Sequence, residues 1–338
     1  MNVLIRVDAY PEIALGHLER CIRLGQTLVD IGHEITFISY DDRAAKTRLE
    51  EKEFIYHLIP YKVNYAGVID EELNTIAEFS EGIDLLIVDS YSVDGKYFEM
   101  LNDLFLKVVY LDDLGLDFKV DMVINPSCKV QQTDYVATNV LCGMDYVILG
   151  NEYVDGRVSN QTDKCDSLLI TMGGIDHYDL SSRLIPMIET INKNIEVNLI
   201  IGPYYENINR VKTIANNSKL HVNIFEGLSN ISSVILESDI AVTAGGFTTY
   251  ELAAMSTPCV GIALWNNQKE NIECLSKKEA LIPLYYSDGA KFDEDLKESL
   301  NLLIGSDKLR AKMARLARKA IDGRGASRIS EKITKLYA

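Results

Sequence analysis

The stretch T-A-G-G-F-T-T-Y-E-L-A-A-M-S-T-P-C-V-G-I (Thr243–Ile262) decides the fold. An apolar run enters a glycine pair, Gly245-Gly246. A helix-like segment opens near Phe247–Thr249, and a second apolar run follows from Pro258. Strand, tight turn, helix and strand in about 20 residues is the βαβ pattern of a parallel sheet.

Working outward, the same grammar recurs. SLLITMGG (Ser167–Gly174) is a strand entering a glycine turn, and EVNLIIG (Glu196–Gly202), HVNIFEG (His221–Gly227), DIAVTAGG (Asp239–Gly246) and PCVGIAL (Pro258–Leu264) are further strands. SSVILESD (Ser232–Asp239) and TTYELAAM (Thr248–Met255) fit helices between them. The first half holds a second series. VLIRV (Val3–Val7), EITFIS (Glu34–Ser39), DLLIVDS (Asp84–Ser90), KVVYLDD (Lys107–Asp113) and DMVINP (Asp121–Pro126) read as strands. Leu18–Gly32 and Val93–Phe105 have helical spacing. The tail from Ser306 reads as one or two amphipathic helices broken at DGRG (Asp322–Gly325). The polar stretch Asp155–Ser167 is the expected linker. The expectation is therefore two doubly wound α/β domains, residues 1–156 and 157–338, facing a cleft, with the last helices able to pack back on the first domain. Ligands of such sheets sit beyond the carboxyl ends of the strands.

Composition narrows the function. The 338 residues suit two domains of about 150 each. With 34 Lys+Arg against 50 Asp+Glu, the net charge is −16. That weighs against nucleic acid or an anionic membrane as partner. A small anion is compatible, because local N–H groups and helix ends can hold phosphate in an acidic protein. No run approaches the roughly 18 apolar residues of a membrane span. The N-terminal MNVLIRVDAY reads as a strand, not a signal peptide. Six scattered cysteines without a C-x-x-C pair are expected to be reduced thiols of a cytoplasmic protein, and no metal or cofactor is expected.

Six motifs can carry chemistry. In RVDAYPEIALGHLERC (Arg6–Cys21), Gly16 and His17 open a helix beyond a strand end, a place suited to a general base. A histidine that merely packs or caps would look the same. Gly173 and Gly174 end another strand. Gly245, Gly246, Thr248 and Thr249 precede or open a helix whose N–H groups and hydroxyls can cradle pyrophosphate. Glu251 on that helix can accept from ribose hydroxyls. A glycine turn with a threonine cap fits this motif equally. In LWNNQKEN (Leu264–Asn271), Asn267 and Gln268 can bind sugar hydroxyls or acetamido groups, although a polar loop is the commoner reading. Tyr91 in VDSYSVDG (Val88–Gly95) stands beyond a strand end. Asp112 and Asp113 in YLDDLG point apart on an extended chain and read as a polar network.

These blocks, in this order, resemble the PseG/SpsG family. The resemblance extends through INPS, Cys142–Leu149 and DGRGASR (Asp322–Arg328), so it covers nearly the whole chain. The second half also resembles MurG-type glycosyltransferases of the GT-B fold. The resemblance implies a GT-B-like, metal-independent hydrolase that releases UDP from UDP-2,4-diacetamido-2,4,6-trideoxy-β-L-altropyranose by water attack at the anomeric carbon, in pseudaminic acid or surface-polysaccharide biosynthesis. It implies His17 as the base, Tyr91 and Asn267 near the sugar, and Gly173, Gly174, Gly245, Gly246, Thr248 and Glu251 at the UDP; Gly16 and Gln268, beside His17 and Asn267, are expected as further substrate contacts. The pattern departs at Ala14, Ser90 and Gly150, positions that bear on the substrate. A glycosyltransferase and a non-catalytic nucleotide-sugar binder are the alternatives.

Overall fold

The computed structural model describes every residue except 11, 12, 14, 61–67, 155, 157–163, 229 and 338. The chain forms two compact units, Met1–Asn151 with Arg324–Ala338, and Glu152–Gly323. The expected junction at 156/157 thus falls inside the second unit, and the last helix belongs to the first. Most of the expected linker, and Ala14, lie outside the described residues.

The first unit runs β1 (Asn2–Val7), α1 (Gly16–Asp30), β2 (Glu34–Tyr40), α2 (Arg43–Glu51), β3 (Ile55–Ile59), α3 (Val68–Glu78), β4 (Leu85–Asp89), α4 (Gly95–Leu104), β5 (Val108–Leu111), β6 (Met122–Asn125) and β7 (Asn139–Cys142). The strands form one parallel sheet in the order β3-β2-β1-β4-β5-β6-β7. β4 is buried throughout and β1 at every residue but the first, as expected for strands covered on both faces. On one side of the sheet, Leu18, Cys21, Ile22 and Leu28 of α1 pack with Val3, Ile5, Leu85 and Ile87. On the other, Leu4, Leu86 and Val88 meet Phe98 and Leu101 of α4.

The second unit runs β8 (Ser167–Thr171), α5 (Leu180–Ile191), β9 (Glu196–Ile201), α6 (Ile208–Asn217), β10 (Val222–Glu226), α7 (Ser232–Leu236), β11 (Ile240–Ala244), α8 (Thr248–Ala254), β12 (Cys259–Ala263), α9 (Asn266–Lys277), β13 (Ile282–Tyr285), α10 (Ala290–Gly305) and α11 (Asp307–Ala320). Its parallel sheet has the order β10-β9-β8-β11-β12-β13. Two doubly wound parallel sheets agree with the expected fold class. Both sheets reverse their winding once, between β1 and β4 and between β8 and β11. Such a switch point opens a crevice at the carboxyl ends of the two flanking strands.

After Gly323 the chain returns to the first unit as α12 (Gly325–Tyr337), which places Ile329 and Ile333 in the core beside α1. Gly325 makes this approach possible. A Cβ there would stand 2.1 Å from the Val147 carbonyl oxygen, inside contact distance of backbone. Among the described residues no helix is long and apolar enough to cross a membrane. Four cysteines, Cys21, Cys142, Cys165 and Cys259, are free thiols. Cys128 and Cys274 are not free, which corrects the expectation of six reduced thiols. Nothing in their spacing signals it. Gly325→Ala is expected to cost about 1–3 kcal/mol through overpacking against backbone. Thermal unfolding should show a midpoint several degrees lower.

Candidate active site

In the first unit, the switch point gathers the polar residues that end β1 and β4. Asp8 follows β1 and is fully buried. Its Oδ1 accepts from Arg6 at 2.7 Å, and its Oδ2 accepts from the Ser90 hydroxyl at 2.8 Å and the Tyr91 N–H at 3.1 Å. The end of β1 therefore holds the turn that follows β4. Arg6 is buried in turn and donates to both oxygens of Glu72, at 2.6 and 3.0 Å. Glu72 also accepts from the hydroxyls of Tyr40 and Tyr97. Burial alone would raise the Glu72 carboxyl, but Arg6 outweighs it and the group sits below its ordinary range. A buried charge costs less free energy when every lone pair is matched in this way.

His17 is the second residue of α1, as the sequence predicts, and its side chain is nearly buried. Its Nδ1 lies 2.5 Å from Oδ1 of Asp89, the last residue of β4. Asp89 is fully buried and takes a second, bidentate partner. Arg20, one turn along α1 from His17, donates Nε to Oδ2 and Nη2 to Oδ1, both at 2.6 Å. The Cys21 thiol donates to Oδ2 at 3.2 Å. Burial would push the Asp89 carboxyl up, but Arg20 and then His17 outweigh it and hold it well below the carboxylate range. It is therefore ionised at any ordinary pH.

Tyr91 is 41% exposed, and its ring meets the His17 ring at 89° with centroids 4.4 Å apart. Its hydroxyl donates to Asp113 at 3.1 Å, and Asp113 also accepts from Arg20 Nη1, at 2.8 Å to each oxygen. Loss of water around the hydroxyl, then Asp113, raises the Tyr91 phenol, so it remains a neutral donor. Asp112 turns the other way. It accepts from the N–H groups of Leu114, Gly115 and Leu116, the Asn125 amide and the Tyr135 hydroxyl. The two adjacent carboxylates thus form separate polar networks. Gly16 opens α1 with empty space where a Cβ would stand.

In the second unit, the glycine pairs sit at the corresponding switch point. Gly173 has φ +74° after β8, and Asp176 caps α5 by accepting from the N–H groups of Leu180 and Ser181. Gly245 and Gly246 follow β11. They differ in purpose. A Cβ on Gly245 would lie 2.8 Å from Ile272 and 3.1 Å from Gln268 of α9, so this glycine is demanded by packing. Around Gly246 the space is open. Thr248 is half-buried, and its hydroxyl is unbonded among the described residues. The Thr249 hydroxyl donates to the Gly246 carbonyl at 2.7 Å. Glu251 is buried in the first turn of α8. Asn267 is exposed on the first turn of α9. Gln268 is half-buried, and its side-chain oxygen accepts from the Leu264 N–H at 2.9 Å.

Sequence reading missed four of these groups. Asp89 and Arg20 clamp His17, and Tyr250 and Asn271 tie α8 and α9 to the Gly245 carbonyl. Two signals exist for the clamp: an acid at the end of a wholly apolar run, and an arginine at i+3 from His17. Among the described residues no cluster of three His, Cys, Asp or Glu is placed to hold a metal.

No family model matches the chain. Whole-chain comparison finds weak relatives. The Bacillus subtilis spore coat polysaccharide biosynthesis protein SpsG is 22% identical over 100% of this chain and 99% of its own. A Helicobacter pylori protein named as a pseudaminic acid cytidylyltransferase and UDP-2,4-diacetamido-2,4,6-trideoxy-β-L-altropyranose hydrolase is 25% identical over 79% of this chain. An uncharacterised Methanocaldococcus jannaschii protein is 22% identical over 81%. The chain spans 45% of the H. pylori protein and 57% of the archaeal one. Among solved structures, Acinetobacter baumannii MurG has a TM-score of 0.75 at 15% identity over 99% of both chains. The spinosyn rhamnosyltransferase SpnG, complexed with thymidine diphosphate, has 0.61 at 15% over all of both. The fold is that of the GT-B glycosyltransferases. The similarity to SpsG and the hydrolase-bearing H. pylori protein supports the SpsG/PseG family.

The two glycines yield a direct contrast. Gly245→Ala is expected to destabilise the second unit by about 1–3 kcal/mol, and Gly246→Ala by less than about 0.5 kcal/mol. Denaturant unfolding of the two variants checks it.

Proposed function

We propose that the protein acts on a nucleotide sugar in surface-polysaccharide or nonulosonic acid biosynthesis, as a hydrolase that releases UDP from a UDP-2,4-diacetamido-2,4,6-trideoxyhexose. The observation that carries this reading is the buried imidazole of His17, held by an ionised Asp89 at the ligand-facing end of a parallel sheet. His17 takes a proton from water as its oxygen bonds to the anomeric carbon. The bond from that carbon to the β-phosphate oxygen breaks, and its electron pair leaves with UDP. Gly16, Tyr91, Asn267 and Gln268 contact the sugar. Gly173, Gly174, Gly246, Thr248 and Glu251 serve the UDP, and Gly245 shapes their turn. The binding rests on N–H groups and hydroxyls, since a net charge of −16 repels a pyrophosphate at long range.

A second reading has support in the glycosyltransferase neighbours, MurG and SpnG. In it, His17 deprotonates an acceptor hydroxyl instead of water. Incubation with UDP-linked 2,4-diacetamido sugars discriminates. UDP release without any acceptor, lowered about 10²–10⁴-fold in His17→Ala, is expected. Release only with an acceptor, as a glycoside, supports the transferase. UDP binding by calorimetry with no turnover on any sugar supports a binding protein.

A further inference from the structure

Nδ1 of His17 has two polar neighbours, and they make incompatible demands. Asp89 Oδ1 at 2.5 Å belongs to an ionised carboxylate, which only accepts. Arg20 Nη2 at 3.1 Å belongs to a guanidinium, which only donates. If Nδ1 carries the hydrogen it serves Asp89. If Nδ1 is bare it serves Arg20. The distances decide between them. Arg20 Nη2 has a better acceptor in Asp89 Oδ1 at 2.6 Å, whereas a bare Nδ1 at 2.5 Å from a carboxylate oxygen would set two lone pairs against each other.

We propose that Asp89 is a positioning residue that fixes His17 as the Nδ1–H tautomer, so that Nε2 is the atom that takes the proton; the second half of this rests on His17 being the base. Three further observations bear on it. No hydrogen bond engages Nε2 among the described residues. The Tyr91 ring stands against the imidazole at 4.4 Å and opposes a flip that would present Nε2 to Asp89. Arg20 holds Asp89 ionised through both carboxylate oxygens, sharing Oδ1 with His17, and its other arm grips Asp113, which also holds the Tyr91 hydroxyl. His17, Asp89, Arg20, Asp113 and Tyr91 thus close a ring of contacts around the imidazole. In the reaction Nε2 receives one proton from water, and the resulting imidazolium faces a carboxylate that never takes that proton.

The test reads the tautomer directly, in the intact protein with 15N-labelled histidine, where His17→Gln identifies the His17 signals. The expected result is a protonated-type shift at Nδ1 and an unprotonated-type shift at Nε2 in the neutral ring. The reverse pattern overturns the proposal and needs no variant of Asp89. Asp89→Asn, of the same size, is expected to move the ring toward the Nε2–H tautomer. It should lower kcat about 10²–10⁴-fold with KM within about 3-fold. An unchanged tautomer in Asp89→Asn also overturns the proposal. A fixed Nδ1–H tautomer with turnover undiminished in His17→Gln rejects the base assignment alone and leaves Asp89 as the group that orients the ring.

Discussion

The first unit depends on one buried carboxylate. Asp89 ends the central strand β4 with no exposure to water, a position that an isolated charge cannot hold. It is stable there because α1 brings Arg20, His17 and Cys21 to it within one turn. The requirement runs in both directions. The helix must start where it does for these three to reach, and the strand must end where it does to receive them. A second buried acid, Asp8, binds the end of β1 to the turn after β4 in the same way. Two paired charges therefore set the register between the loops that carry Tyr91 and His17.

The fold explains why the polar groups collect at these places. In a doubly wound sheet the strands to either side of the switch point send their following loops in opposite directions, and a gap opens between them. β1 and β4 flank that gap in the first unit, and β8 and β11 flank it in the second. The same topology bears different residues: an acid-clamped imidazole in one unit, and glycine turns with hydroxyls and amides in the other.

The architecture was legible where strands are buried on both faces. VLIRV, DLLIVD and DIAVTA are nearly unbroken apolar runs because helices cover them above and below. Three of the four edge strands, β3, β7 and β13, escaped that reading. An edge strand is covered less completely, so Tyr56-His57 and Pro283 can sit in one without an apolar signature. The return of α12 to the first unit was legible only as an amphipathic tail, since its partner, α1, lies some 300 residues away in the chain. At the site, His17, Tyr91 and the glycine pairs stand out by local pattern. The Asp89–Arg20 clamp does not, because it joins residues 69 apart whose meeting requires β4 to lie beside β1. Local pattern also does not reveal that the Thr249 hydroxyl donates to the Gly246 carbonyl or that the Gln268 side-chain oxygen accepts from the Leu264 N–H.

The central claim is that water, activated at His17, attacks the anomeric carbon of a nucleotide sugar. Turnover of a UDP-2,4-diacetamido-2,4,6-trideoxyhexose in 18O-labelled water, quenched early and read by mass spectrometry, tests it most directly. The account predicts UDP released without an acceptor and free of label, with 18O in the sugar. Label in the β-phosphate of UDP, or no release until an acceptor hydroxyl is supplied, would contradict it.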